Sequence, residues 1–243
     1  MRRREFLSLA ASSALLGAES KPQFQFPTKP IDRLAVASYP FREFLKQPGM
    51  DLVAFGKRVK QEWQVHNIEP WSPHFRSTND NDLAALRRNL SLAGIGIANI
   101  AADLPGSLYD PDDAIREKAI AARKVWIDVA SKVGSPGVRV NNPPAKAAPD
   151  VGRMADSMRK LGEYGASRGV VVNFENDNPV SENPLFLARA IREVNSPWIR
   201  ALPDFCNSMM SGNEKFGYEA LSTLFPLAWS ICHVKEFETG PNK

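Results

Sequence analysis

Cysteine is almost missing from this chain. Its two residues, Cys206 and Cys232, are too few for a disulfide framework. They read as small apolar side chains buried in two separate strands. An excess of one charge is also lacking. The formal net charge is +4, and removing residues 1–18 with Arg2, Arg3, Arg4 and Glu5 takes it from +4 to +2. No Lys/Arg run alternates with exposed aromatics, so nucleic-acid binding has no electrostatic support. No apolar run approaches the roughly 20 residues that cross a bilayer, so no stable membrane anchor is expected. Glycine is absent from Ser38-Tyr39-Pro40-Phe41-Arg42 after the first apolar run, which argues against a dinucleotide-binding doubly wound sheet.

Arginines are concentrated at the N-terminus. Arg3-Arg4-Glu5-Phe6-Leu7 fits the twin-arginine pattern, and an Ala-rich apolar stretch follows to Leu16. Leu16-Gly17-Ala18 offers small residues for cleavage after Ala18. Residues 1–18 are therefore expected to be a twin-arginine signal peptide, engaging the Tat export machinery and leading to the periplasm or the exterior. Residues 19–30, with Pro22, Pro27 and Pro30, read as a linker.

Beyond the linker, apolar runs alternate with segments of helical periodicity. Strands are expected at 34–40, 65–71, 95–104, 137–142, 169–174, 199–203 and 229–234. Helices are expected at 51–63, 81–92, 110–133, 150–167, 184–194 and 218–225. Asp110 is the expected cap of the third helix, with Pro111 at its first position. The strands are apolar throughout rather than alternating, as in a parallel sheet covered on both faces. Seven strands alternating with six helices imply a parallel α/β protein. Polar residues at many strand ends favour a TIM (β/α)8-type barrel over 31–243. On this reading seven strands are present and the eighth βα unit is missing.

Three strand ends carry the chemistry. Val-Val-Val-Asn-Phe-Glu ends at Glu175, Ala-Leu-Pro-Asp places Asp204, and Ile-Cys-His places His233. Both intervals are 29 residues, about one strand-plus-helix repeat. Two carboxylates and an imidazole on consecutive strand ends suit a divalent cation.

With Phe174-Glu175-Asn176, Pro203-Asp204-Phe205-Cys206-Asn207 and Cys232-His233-Val234-Lys235 in this order, the chain resembles the xylose-isomerase-like TIM-barrel superfamily. Ile68-Glu69 fits as well, and so does Trp126-Ile127-Asp128-Val129-Ala130 followed by Gly134, Val138 and Arg139. The superfamily holds sugar isomerases and epimerases, and also the endonuclease IV class. The latter uses three zinc ions and many histidines, whereas this chain has three His. The resemblance implies a divalent ion (Mn, Mg, Co or Zn) held by Glu175, Asp204 and His233, with a fourth carboxylate on strand eight. It implies a small sugar or sugar-derived substrate and proton transfer at a carbon next to a carbonyl, with Glu175 as ligand and base together. Arg139 and Lys235 could hold a hydroxyl, carboxylate or phosphate, and Asn207 a hydroxyl. Glu69 joins them as a strand-two contact, and Tyr39 and Trp71 could stack on a sugar ring. A lyase, dehydratase or hydrolase on the same barrel, or a non-catalytic carbohydrate-binding barrel, stays open.

Overall fold

The computed structural model describes residues 21–235. The expected signal peptide, and the linker's first two residues, lie outside the described residues. Seven strands run β1 (Val36–Ala37), β2 (Asn67–Glu69), β3 (Gly96–Ile97), β4 (Ile100–Ala102), β5 (Gly137–Val140), β6 (Val171–Glu175) and β7 (Ile199–Leu202). The main helices are α1 (Leu52–Trp63), α2 (Asp80–Ala93), α3 (Asp113–Val133), α4 (Val151–Arg168), α5 (Pro184–Val194) and α6 (Glu214–Leu224). Every ladder is parallel, and strand order in space follows strand order in sequence: β1-β2-β3, then β4-β5-β6-β7. A parallel bridge between Trp71 and Ala101 joins the two groups. This is the walk of a (β/α) barrel, in which each strand leans on the one before. Among the described residues no helix is long and apolar enough to cross a membrane.

Periodicity explains how the core is divided. Ile100, Val138, Val172 and Phe174 occupy one face of their strands and are fully buried. With Ile127, Met154, Met158 and Leu187 from the covering helices they belong to one hydrophobic core. Each such side chain contributes about 1.5–3 kcal/mol through burial. The opposite, inward face carries Asn99, Arg139, Asn173 and Glu175, all buried. Asn173 Nδ2–H donates to Asn99 Oδ1 at 3.2 Å, passing over the strand between them. A Cβ on Gly137 would lie 2.8 Å from Asn173 Nδ2 and 3.0 Å from Asn99 Oδ1. Glycine is required there because the polar bond occupies the space a side chain would need.

Several expectations shift. The run 95–104 forms two strands, because the pairing breaks at Asn99, whose side chain turns to Glu69 instead. The expected strand 229–234 forms no ladder and touches β7 and its extension through two bridges, Ala201 to Ala228 and Asp204 to His233. Pro203 has no N–H to offer, and the Arg200 side chain takes the Ala228 carbonyl at 2.9 Å. Helix α3 is capped by Asp112 rather than Asp110: the Asp112 carboxylate accepts from Ala114 N at 2.8 Å, while Asp110 accepts from Asp112 N. Helix α6 begins a turn earlier than expected, capped by Asn213. Both cysteines are free, but Cys232 is exposed and Cys206 half-buried, contrary to the expected burial.

Candidate active site

The strand ends at one mouth of the barrel converge on His233. Its Nδ1 lies 3.0 Å from Glu175 Oε1 and its Nε2 lies 2.7 Å from Glu69 Oε2. A carboxylate beside each ring nitrogen favours the protonated ring, and binding an ion through Nδ1 would require the ring to give up that proton. Burial opposes that charge, but Glu69 and Glu175 outweigh it and raise His233 well above the ordinary histidine value. Asp204 Oδ2 stands 4.0 Å from the same Nδ1.

Glu175 is nearly sealed from solvent. Arg139 Nε approaches its Oε2 at 3.0 Å, and Asn207 Nδ2–H donates to Oε1 at 3.2 Å. Burial pushes the carboxyl upward, but Arg139, His233 and Lys235 overcome it and bring it down to about 2. Glu69 is lowered too: burial works against ionisation, and His233, Asn99 and Arg139 prevail. Asp204 receives the backbone N–H groups of Cys206 (2.8 Å) and Asn207 (2.7 Å) on Oδ1. Its own N–H donates to Asn176 Oδ1 at 2.8 Å. Its Oδ2 is buried with no hydrogen-bond donor, although Lys235 Nζ stands 3.0 Å away.

Glu175, Asp204 and His233 each offer one ligand atom, and these atoms lie within 4.8 Å of one another. Ligands about 2.1 Å from a shared ion stand about 3.0 Å apart at right angles and about 4.2 Å apart when opposed. The 3.0 and 4.0 Å separations from His233 Nδ1 fall in that range, and the three atoms together lie within 4.8 Å, so a small inward shift would complete the fit. The donor set of two carboxylates and one imidazole suits Mg, Mn, Co or Zn.

The other expected residues fall around this triad. Lys235 Nζ also donates to Asn207 Oδ1, so these two side chains form one unit at the rim. Arg139 is not a free cation: its Nη1 donates to Asp103 Oδ1, and its Nε is ion-paired with Glu175 Oε2 at 3.0 Å without hydrogen-bond geometry. Trp71 stands edge-to-face with Tyr39, ring centroids 4.9 Å apart, and its Nε1–H donates to Asp103 Oδ2 at 2.7 Å. Tyr39 is exposed, with Arg42 over its ring. Sequence reading passed over Asp103, Asn99 and Ser38. Asp103 carries the same signal as Glu175, an acid closing an apolar run. Ser38 bonds His74 Nδ1 at 2.8 Å and accepts from Trp71 N, a contact that no spacing announces.

Beside the site, Glu182 ties the loop after β6 to the end of β5. It accepts from Asn142 N (2.6 Å) and from the Asn178 side chain. Burial, aided by Asp177, outweighs those donors and pushes this carboxyl up to about 7. The folded state therefore binds a proton more tightly than the unfolded chain between about pH 4.5 and 7, and stability falls as pH rises through that window. Urea unfolding at pH 5 and pH 7.5 is expected to show wild type losing about 2–3 kcal/mol relative to Glu182→Gln. Equal pH slopes for the two proteins would contradict this.

A family profile described as xylose isomerase-like TIM barrel matches residues 45–242. Among solved structures, a xylose isomerase domain protein from Planctomyces limnophilus is 24% identical, with TM-score 0.58 over 72% of this chain and 65% of its own. This chain thus spans just under two thirds of that relative. A D-psicose 3-epimerase solved with D-fructose gives 17% identity and TM-score 0.65, over 77% of this chain and 68% of its own. A 3-keto-D-glucoside 4-epimerase from E. coli gives 16% identity and TM-score 0.58, over 84% and 79%. Comparison with curated protein sequences gives no match. At these identities the structures speak for the fold, and the profile covers most of the sequence: the chain belongs to the xylose isomerase-like TIM barrel family.

Proposed function

We propose that this protein is a divalent-metal-dependent isomerase or epimerase of a small sugar or sugar derivative. The observation that carries the reading is the convergence within 4.8 Å of Glu175 at the end of β6, Asp204 just past β7, and His233 on the segment bridged to it. Asp204 supports it with a buried oxygen that no donor hydrogen-bonds and that only the Lys235 ammonium, 3.0 Å away, balances.

Glu175, Asp204 and His233 are the residues that would hold the ion. Once bound, it offsets the negative charge that develops on substrate oxygens as a carbon-bound proton leaves. The chain's own groups do the rest. Glu175 takes the proton, and Arg139 on Oε2 leaves Oε1 as the oxygen turned toward His233 and Asn207. Glu69 on Nε2 fixes the His233 ring plane and orients Nδ1 toward Glu175 and Asp204. Lys235 and Asn207, joined at the rim, present a cation and an amide to substrate hydroxyls. Trp71 and Tyr39 form an aromatic wall of the kind that packs against the C–H face of a sugar.

Incubation in D2O with a panel of ketoses, each with Mn, Co, Mg or Zn, tests this. Solvent deuterium is expected at the carbon next to the carbonyl, together with the epimer, only when an ion is supplied. Loss of water in place of epimer would reassign the reaction to the dehydratase class. Absence of exchange with every ion and sugar would sink the enzymatic reading.

A further inference from the structure

The position of Asp103 follows from strand registry. Trp71, Ala101 and Arg139 lie level across three neighbouring strands, through the Trp71–Ala101 bridge and the Ala101–Arg139 pair. Side chains on a strand return to the same face every second residue. Asp103, two residues beyond Ala101, therefore stands on the inward face one layer nearer the mouth. From there its two oxygens reach opposite neighbours: Oδ1 binds Arg139 Nη1, and Oδ2 accepts the Trp71 indole N–H at 2.7 Å. Its backbone N–H donates to Ser72 Oγ at 3.3 Å, so the main chain is also held.

We infer that Asp103 is a positioning residue that decides which oxygen of Glu175 faces the candidate ion. The inference rests on the proposed role of Glu175. Arg139 has two acidic partners on opposite sides, Asp103 at Nη1 and Glu175 at Nε. Its side chain is only 11% exposed, so it cannot turn to water for a substitute. With Asp103 present, the guanidinium divides between the two acids, and its Nε stands 3.0 Å from Glu175 Oε2 without completing a hydrogen bond. Oε1 then stays available to the His233 side. Without the Asp103 charge, Glu175 becomes the stronger of the two partners. The guanidinium fork then matches both carboxylate oxygens, the geometry Arg prefers, and Oε1 is lost to the ion. The same carboxylate anchors Trp71, so the aromatic wall and the base share one support.

Two measurements on the full chain test this, using Asp103→Asn and Asp103→Glu. In metal-free protein, nitrogen-15 NMR reads the Arg139 Nη signals, assigned with Arg139→Lys. They are expected to be split in wild type, where Asp103 stops the guanidinium rotating. In Asp103→Asn the fork to Glu175 holds the guanidinium instead, so the signals should stay split but shift together with Nε, which gains a hydrogen bond to Glu175. In Asp103→Glu they should keep the wild-type pattern, with the Trp71 indole signal moving upfield only in Asp103→Asn. Titration with Mn alone, followed by the loss of free-Mn electron paramagnetic resonance, should show about 10–100-fold weaker binding in Asp103→Asn and partial recovery in Asp103→Glu. Unshifted, wild-type arginine signals in Asp103→Asn overturn the inference, and so do merged signals or unchanged Mn binding. Failure of wild type to bind Mn would instead strike the metal reading, while the arginine signals still decide whether Asp103 holds Arg139.

Discussion

Glu175→Gln is expected to abolish divalent-ion binding and to lower turnover by about a thousandfold or more. The substitution preserves shape, so its effect is electronic. Glutamine retains one oxygen, which can still accept from Asn207 or from His233, but not from both sides with a full charge. Its amide nitrogen then meets either Arg139 Nε or the donors on Oε1, placing donor against donor in a site that is nearly dry. Whichever way the amide turns, the ion loses a negative ligand and the reacting carbon loses its base. Asp204→Asn and His233→Gln should also lose ion affinity, each removing one of the three ligands. His233→Gln additionally leaves Glu69 without its imidazole partner, so its folding should be checked by circular dichroism. Mn titration and deuterium exchange measure the two losses separately. Wild-type ion content in all three variants would remove the ligand assignment.

Arg123→Met is expected to cost about 3 kcal/mol of folding stability, which for a chain of this size lowers Tm by on the order of 10 °C. Arg123 is completely buried. It has no bonded carboxylate, and instead donates to main-chain carbonyls: Asn141 through Nε and Nη2, Pro105 and Ala119 through Nη1, and Gly106 through Nη2. Two effects compete. Burial of a cation is unfavourable, and it pulls this guanidinium down to about 10 even with Glu182 assisting. Methionine removes that cost, worth about 3 kcal/mol. It also leaves the carbonyls of Pro105, Gly106 and Asn141 in a dry interior without a donor, at about 1–3 kcal/mol each. Three orphaned acceptors outweigh one relieved cation. Arg123→Lys should recover little, because an ammonium cannot fork to carbonyls on three segments. Thermal and urea unfolding decide it. A methionine variant as stable as wild type would mean that water replaces the guanidinium.

The triad was legible because its signal is one-dimensional. Glu175, Asp204 and His233 each interrupt an apolar run, and parallel β/α repeats bring such positions to the same end of the sheet. What surrounds them was not legible, for two reasons. Arg139 and Glu69 were placed in the site, but their partners depend on side chains meeting across the barrel, as Asn99 and Asn173 do over Gly137. No periodicity encodes that crossing. The second reason is competition for backbone donors. Asp110 has every mark of a helix cap, yet its carboxylate turns to Asp112 N, and Asp112 becomes the cap. Likewise 229–234 reads as a strand on hydrophobicity alone, but Pro203 and the Arg200 side chain leave it too few partners for a ladder.

The bond from Glu69 to His233 spans 164 residues of chain. Most other contacts in the sheet join a strand to the next one made, and such neighbours can zip up locally during synthesis. Closing a loop of this length costs about 4–5 kcal/mol of chain entropy, which becomes affordable only after the intervening repeats have stacked. Docking of the His233 segment and assembly of the proposed triad are thus one event. Until His233 has been made and docked, a growing chain carries Glu175 and Asp204 but no imidazole to complete them. On the proposed reading, affinity for an ion is acquired only once the His233 segment has docked against Glu69, and a chain misassembled there would fail to hold one.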